Sequence, residues 1–537
     1  MAQPSSRTPV APPPAAPPAL HPVDRRPRFG KLAAFGFQHV LIMYTGCVTV
    51  PLVFGAAAGL DRATIGLLIN ADLLVAGLIT LVQSLGVGKV LGIRLPIVTG
   101  ATFSSVIPMI MIHGEYGMQA VYGSMLAAGL FGLLIAVPFA RLVRFFPPLV
   151  SGVVIVVIGL SLLDVAGVLI TGNDHRAADY ASPARLALAA GVIVVIVLFS
   201  RFARGFLSQV GILLALVLGT LVAIPLGLTD FAGAAGADWF GLTAPFHFGA
   251  PQFPPSAVIS MCVVMLVIFT ESTATMMAVG ESTGRTVSDK DLARGLAADG
   301  LSGVLGGAMN SFMDTVFTQN VGLIRMTGVS SRYVTAVAGG MLVLLGLVPR
   351  LGELVAALPG PVIGAAGLML FATVTMVGVN TLRRVDLDDH RNLTVAAVAL
   401  GIGLLPEFVE GVYDGFPSWV RIILGSGITG AACAAFLLNL LFHHTGVRQQ
   451  SRTGGNRSTI GESEGSDPTD SDGVRGGREV RAEERVEART AAGAEAGEEG
   501  GGERGGEGPR DGEGAEARAG EQHAVDAAAA PRPTPRA

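Results

Sequence analysis

The stretch DTVFTQNVGLIRMTG, residues 314–328, interrupts long apolar runs with an unusual density of hydrogen-bonding groups. DTVFT is β-branched and aromatic, which suits an extended backbone, whereas VGLIRMTG can begin a helix. In hydrocarbon an unpaired backbone amide is expensive, so non-helical backbone survives only where it lines a protein cavity. A span that is extended and then helical ends at mid-membrane with free N–H groups and the positive end of a helix dipole. Such an end makes a binding wall for a polar, planar solute.

The surrounding composition supports a membrane location. Of 537 residues, 50% are hydrophobic and 15% charged, with a mean hydropathy of +0.57, too apolar for an ordinary soluble protein. From about Gly446 to Ala537 there is no Phe, Trp or Tyr. Here 19 acids face 13 bases, a net of −6 within a whole-chain −4. This acidic tail (446–537) is expected to be disordered and to act as a solvated spacer, with an interaction or phosphorylation segment as the alternative. The Pro-rich start (1–30) is expected to be disordered, with QPSSRTPVAPPPAAPPALHP (3–22) extended, and no secretory signal precedes the first span. Cys47, Cys262 and Cys433 fall in apolar runs with no CxxC or Cys/His spacing, which argues against disulfides and metal ligands.

Between about Lys31 and His444, fourteen segments are long enough, or nearly so, to cross ~30 Å of hydrocarbon. They fall at 32–54, 64–86, 96–112, 119–140, 147–171, 184–200, 207–229, 255–279, 293–310, 313–327, 332–350, 357–379, 392–412 and 418–442. The third and tenth are short and polar-interrupted. Lys89, Arg94, Arg141, Arg144, Arg201, Arg204, Arg285, Lys290, Arg383, Arg384 and Arg391 fall in loops on the side of the N-terminus, and the opposite loops carry almost no Lys or Arg. Both termini are therefore expected in the cytoplasm. FPPLVSGVV at 146–154 and LPGPVIGAA at 358–366 echo each other, and Phe103 in TGATFSS matches Phe317 in DTVFTQN. Seven spans is an odd number, so a duplicated half inserts upside down. Coincidence in Gly/Pro-rich membrane sequence is the competing explanation.

Several ionisable residues sit inside spans. Glu271, in VIFTESTATMMAVGE, follows a mostly apolar run, and an intramembrane carboxylate is functional by default. Thr275 lies four residues on, near the same helix face. Asp299 in LARGLAADGLSGVLGG and His39 in FGFQHVLIMYTG complete the constellation. Each has a structural alternative: a buried bridge for Glu271, a tie between helix ends for Asp299, a satisfied core imidazole for His39. Asp72 and Asp164 read as structural.

These motifs together resemble the nucleobase–ascorbate transporter family, the nucleobase:cation symporters of the second type. QNVGLIRMT (319–327) is similar to that family's Q-N-x-G-x-x-x-x-T signature. FQHVLIMYTGCVTVPLV (37–53), FTESTATMMAVGE (269–281) and ADGLSGVLGG (298–307) are similar to its first-, eighth- and ninth-span elements. The resemblance covers roughly residues 30–445, with the elements in the family's order.

The resemblance implies an all-α polytopic membrane protein with fourteen transmembrane segments as a 7+7 inverted repeat and short extended segments in spans 3 and 10. It implies a core domain of 31–145 and 251–352, and a gate domain of 146–250 and 353–445. It implies import of purines with protons, with no cofactor beyond the proton, in the cell (inner) membrane, as a homodimer without nucleic acid partners. Position by position, Glu271 would accept the base's N–H groups and Gln319 would meet its carbonyl and N–H edge. Backbone around Phe103, Phe317 and Thr318 would close the pocket, Phe103 stacking on the ring. Asn320 would brace the site, and His39 and Asp299 would tune affinity and proton coupling. Asp314 and Arg325 depart from the family's pattern and would either perturb coupling or pair with each other.

Substrate choice follows from two positions. Uracil permeases of the family usually carry Glu where this chain has Gln319. Xanthine members commonly have Asp at the position of Thr275, where a hydroxyl can instead donate to the C8 carbonyl of urate. Urate is therefore the favoured substrate, with xanthine second or shared, and another nucleobase or an anion as alternatives. An intramembrane enzyme is disfavoured by the lack of HExxH, paired Asp-rich metal motifs or facing Ser/His pairs.

Overall fold

A computed structural model describes residues 20–142, 147–172, 176–177, 179–229, 231–409 and 411–443. The first 19 residues and the acidic tail, both expected to lack fixed structure, lie outside the described residues, as do Arg144 and Phe146. The first half contains α1 (Phe29–Ala57), α2 (Arg62–Leu85), α3 (Val106–Tyr116), α4 (Met118–Leu142) and α5 (Pro148–Thr171). It continues through α6 (Pro183–Phe202), α7 (Phe206–Gln209), α8 (Gly211–Ala223) and α9 (Ala232–Gly236). The second half contains α10 (Pro255–Thr283), α11 (Asp289–Met309), α12 (Gln319–Thr327), α13 (Arg332–Gly346) and α14 (Pro349–Ala356). It ends with α15 (Gly360–Leu382), α16 (His390–Phe408), α17 (Ser418–Leu424) and α18 (Gly427–His443).

Among the described residues eight helices, α1, α2, α4, α5, α6, α10, α15 and α16, are each long and apolar enough to cross a bilayer. Two bent pairs qualify jointly: α13 with α14, bent by 81°, and α17 with α18, bent by 79°. The span expected at 332–350 corresponds to α13 with the bend at its end, whereas the single span expected at 418–442 is broken within its length. Pro349, which cannot continue a helical hydrogen-bond ladder, opens α14 after the first bend. The second break falls at Gly425 and Ser426.

The two interrupted spans do contain extended backbone. β1 (Thr99–Ala101) pairs antiparallel with β2 (Asp314–Val316), Thr99 opposite Val316, Gly100 opposite Thr315 and Ala101 opposite Asp314. Thr102 N–H donates to the Met313 carbonyl (2.9 Å) and Phe317 N–H to the Val98 carbonyl (3.1 Å), extending the ladder at both ends. Each broken span thus satisfies the other's amides, the condition for extended backbone among apolar helices. The Phe317 ring is wedged beneath this ribbon. A Cβ on Gly46 would sit 2.6 Å from its Cε1, and one on Gly100 would sit 2.4 Å from its Cε2 and 2.3 Å from Cys47 Sγ.

Small residues set the closest helix crossings, as membrane packing requires. Gly129 and Gly132 of α4 lie against Gly300 and Gly303 of α11, and Gly77 of α2 lies against Gly339 and Val343 of α13. Two satellite cores stand apart from the main one. Leu188, Val192 and Ile196 of α6 pack with Leu216 of α8 and Val362 of α15, and Leu149 and Val153 of α5 pack with Val395 of α16 and Ala435 of α18.

Ion pairs and caps tie the helix ends. The lead-in was expected to be disordered to residue 30, but residues 20–28 fold back onto the body. Val23 is fully buried, Asp24 pairs with Arg332 (2.8 Å) and Arg285 (3.3 Å), and Ser331 donates to the Arg25 carbonyl (2.6 Å). At the other face Arg421 of α17 donates to both oxygens of Glu115 at the end of α3 (3.0 and 2.8 Å). Asp61 caps α2, accepting from the Thr64 hydroxyl (2.5 Å) and N–H (3.4 Å), and the hydroxyl bond leads in holding its carboxyl below the usual range. That stabilisation is present at neutral pH and fades as pH falls through the lowered value. Replacing Asp61 by Ala is expected to cost about 1 kcal/mol, read as a lower melting temperature of the detergent-solubilised protein. An unchanged melting temperature would remove the cap from the stability account.

Candidate substrate site

Glu271 sits midway along α10, where the helix passes the turn that follows β1. That turn, Phe103–Ser105, is a 3-10 helix capped by Thr102, whose hydroxyl accepts from Ser104 N–H (3.2 Å). Ser104 donates its hydroxyl to Glu271 Oε1 (2.7 Å), and Thr102 lies 3.5 Å from Oε2 and 3.1 Å from Ser104 Oγ. The carboxylate of one half is therefore held by hydroxyls from the broken span of the other.

A cavity of about 150 Å³ opens in front of this carboxylate. One wall is Thr102, Phe103, Ser104, Glu271, Thr275, Phe317, Thr318 and Gln319; the other is Ser151, Ile155 and Ile158 of α5 with Val374, Val377 and Thr381 of α15. A second, apolar cavity of about 110 Å³ lies between α5, α10 and α18 and shares Glu271, Thr270, Ser151 and Ile155 with the first.

The structure brings most of the sequence-predicted residues together. Gln319 opens α12, its side chain exposed to the cavity and accepting from the Thr318 hydroxyl (3.4 Å). Asn320 turns away, donating to the Pro96 carbonyl (2.8 Å) and tying α12 to the segment before β1. The Phe103 ring lines the cavity and meets Phe371 of α15 edge-on, centroids 5.2 Å apart. The Thr275 hydroxyl donates to the Glu271 carbonyl (3.2 Å), so it must rotate before it can donate to a ligand.

Five residues stand back from the cavity. His39 is buried in α1 and shares a small void with Phe317, Gln319 and Asn320. Asp299 is buried in α11 and accepts from Gln83 Nε2 (3.0 Å), while Ser302, which donates to the Asp299 carbonyl, accepts from Asp314 N–H (2.9 Å). Asp299 therefore reaches the site through β2 rather than by contact. Asp314 and Arg325 do not pair. The Asp314 side chain is fully buried, whereas Arg325 is exposed and donates to Ser282 (2.9 Å). Asp72 is fully buried and accepts from Ser311 (3.3 Å).

Sequence reasoning singled out neither Thr102 nor Ser104, although the hydroxyl-rich TGATFSS is a signal that points to them. The wall from α5 and α15 carries no signal, because its residues belong to ordinary apolar runs. Among the described residues no cluster of three His, Cys, Asp or Glu side chains could hold a metal ion. A carboxylate, an amide and hydroxyls on one wall, an aromatic ring at its edge and an apolar wall opposite suit a flat solute with alternating C=O and N–H edges.

Long apolar helices around paired half-spans and a polar mid-body cavity define a multi-pass membrane transporter. A profile for a family described as "Permease family" matches residues 30–411. The chain belongs to this family, the nucleobase–ascorbate transporters, and is a transporter rather than an enzyme. It is 39% identical over 436 residues to the uric acid transporter UacT of Escherichia coli (strain K12), covering 80% of this chain and 90% of that one. It is 38% identical over 415 residues to the xanthine permease of Bacillus subtilis (strain 168), covering 77% and 94%. Its fold is similar to that of murine solute carrier 26 family member A9, an anion transporter solved in the inward-facing state. That match has a TM-score of 0.51 at 14% identity, over 78% of this chain and 69% of that one.

Proposed function

We propose that the protein is a proton-coupled symporter that imports uric acid, with xanthine as a second or shared substrate, by alternating access. The observation that carries this is the single cavity in which Glu271 and Gln319, from two distant segments, face α5 and α15. Relatives named as uric acid and xanthine transporters support the substrate class.

The seven-plus-seven arrangement is supported by how the elements pair. Counting β1–α3, α7–α8, β2–α12, α13–α14 and α17–α18 as one span each gives fourteen. Under a seven-span shift, α4 against α11 becomes α13 against α2, α1 against α13 becomes α10 against α4, and α6 against α8 becomes α16 against α18. The β1–β2, α5–α15 and α2–α11 pairs map onto themselves. The cavity then lies between a core (31–145 and 251–352) and a gate (146–250 and 353–445). It runs toward Ser151 and Thr381, at the ends of α5 and α15 that the loop charges assign to the cytoplasm. The Glu115–Arg421 pair bridges core and gate at the other end, a combination that suits an inward-facing state. Glu271 and Asp299 are the candidates for the coupling proton. The resemblance further implies a homodimer in the cell membrane with both termini cytoplasmic.

Labelled urate competed against xanthine, hypoxanthine, uracil and ascorbate in cells expressing the chain tests the substrate class. Competition by uracil alone, or proton-independent uptake of inorganic anions without purine competition, would replace this function with one of its alternatives. Thr275→Asp is expected to lower the urate-to-xanthine uptake ratio by about tenfold, the value of one lost or repelled hydrogen bond. An unchanged ratio would remove position 275 from substrate choice.

A further inference from the structure

We infer that Ser104 is a positioning residue for Glu271, fixing which of two cavities its carboxylate faces; the inference rests on the function proposed above. Glu271 borders both the polar cavity and the apolar one behind it, whereas Ser104 borders the polar cavity alone of these two. Without a tether the side chain has a choice of directions. The tether is directional. Ser104 N–H donates to the Thr102 hydroxyl, that hydroxyl's hydrogen points to Ser104 Oγ (3.1 Å) or Glu271 Oε2 (3.5 Å), and the Ser104 hydrogen goes to Glu271 Oε1 (2.7 Å).

Because the chain starts at a backbone amide, its donors run toward the carboxylate, and each link polarises the next. A hydroxyl-to-carboxylate bond of this length is charge-assisted. A carboxylate offers about four lone-pair sites, so a bond from Ser104 leaves room for substrate N–H groups. Ser104 itself is buried in the short turn after β1, so the aim of Glu271 is set by the β1–β2 ribbon and not by α10 alone.

The test compares Ser104→Ala and Ser104→Thr in labelled urate and xanthine uptake at matched surface amount, with detergent extraction profiles to show that each variant folds. Ser104→Ala is expected to raise apparent KM about tenfold while leaving maximal uptake within about twofold, the signature of lost uniform binding. Ser104→Thr, which keeps the hydroxyl, is expected to restore KM to within about threefold. A Ser104→Ala KM within about twofold of the parent overturns the assignment, as does a Ser104→Thr variant as impaired as Ser104→Ala. Failure of the parent chain to take up either purine would count against the proposed function instead.

Discussion

Replacing Glu271 by Gln is expected to lower urate and xanthine uptake by about a hundredfold or more. The carboxylate presents acceptors only, whereas the amide presents one acceptor oxygen and an NH₂ group that opposes the substrate's own N–H donors. Two charge-assisted hydrogen bonds contribute about 1.5–3 kcal/mol each, and every 1.4 kcal/mol is about a factor of ten. The same substitution leaves a single acceptor oxygen for both the Ser104 hydroxyl and the substrate's N–H groups, where the carboxylate offered two. Glutamine is nearly isosteric, so the folded protein is expected in normal amount. Uptake by Glu271→Gln at the parent rate and affinity would take the carboxylate out of the binding site.

Gly129→Val is expected to abolish recovery of folded protein. A Cβ at Gly129 would lie 2.3 Å from the Val304 backbone nitrogen and 2.5 Å from the Gly303 carbonyl carbon, so helix backbone rather than a mobile side chain blocks it. Overpacking a core typically costs about 1–3 kcal/mol. Here α4 and α11 must separate along a shared glycine face, displacing Gly132, Gly300 and Gly303 as well, and the cost exceeds that range. Gly191→Val on α6, where nothing stands within 4 Å of the added carbon, is the matched control and is expected to fold. Equal monodisperse yields for the two variants after detergent extraction would show that the α4–α11 crossing tolerates a wider spacing.

The interrupted spans were legible in the sequence because their composition changes type within a few residues. β-Branched DTV forms β2, and the helix begins at Gln319, where the amide-rich signature starts. Glu271 was legible for a different reason: a lone carboxylate in an apolar run has few uses. The break at α17–α18 was not legible, since an apolar run of sufficient length reads as one straight span, whereas Pro349 at the start of α14 is a local signal that the helix stops there. Whether Asp314 and Arg325 pair was left open by the sequence; they do not, because β2 and α12 carry the two side chains into different surroundings. Ser104 was missed because its role depends on a contact across 167 positions, which no local spacing encodes.

The Glu115–Arg421 pair has a consequence for turnover. Its side chains are about one-third exposed (32% and 35%), so water screens the attraction. Pairs of that kind contribute about 0.2–1 kcal/mol, close to the thermal energy. If this contact must part once in every cycle, it acts as a clasp weak enough to come undone unaided.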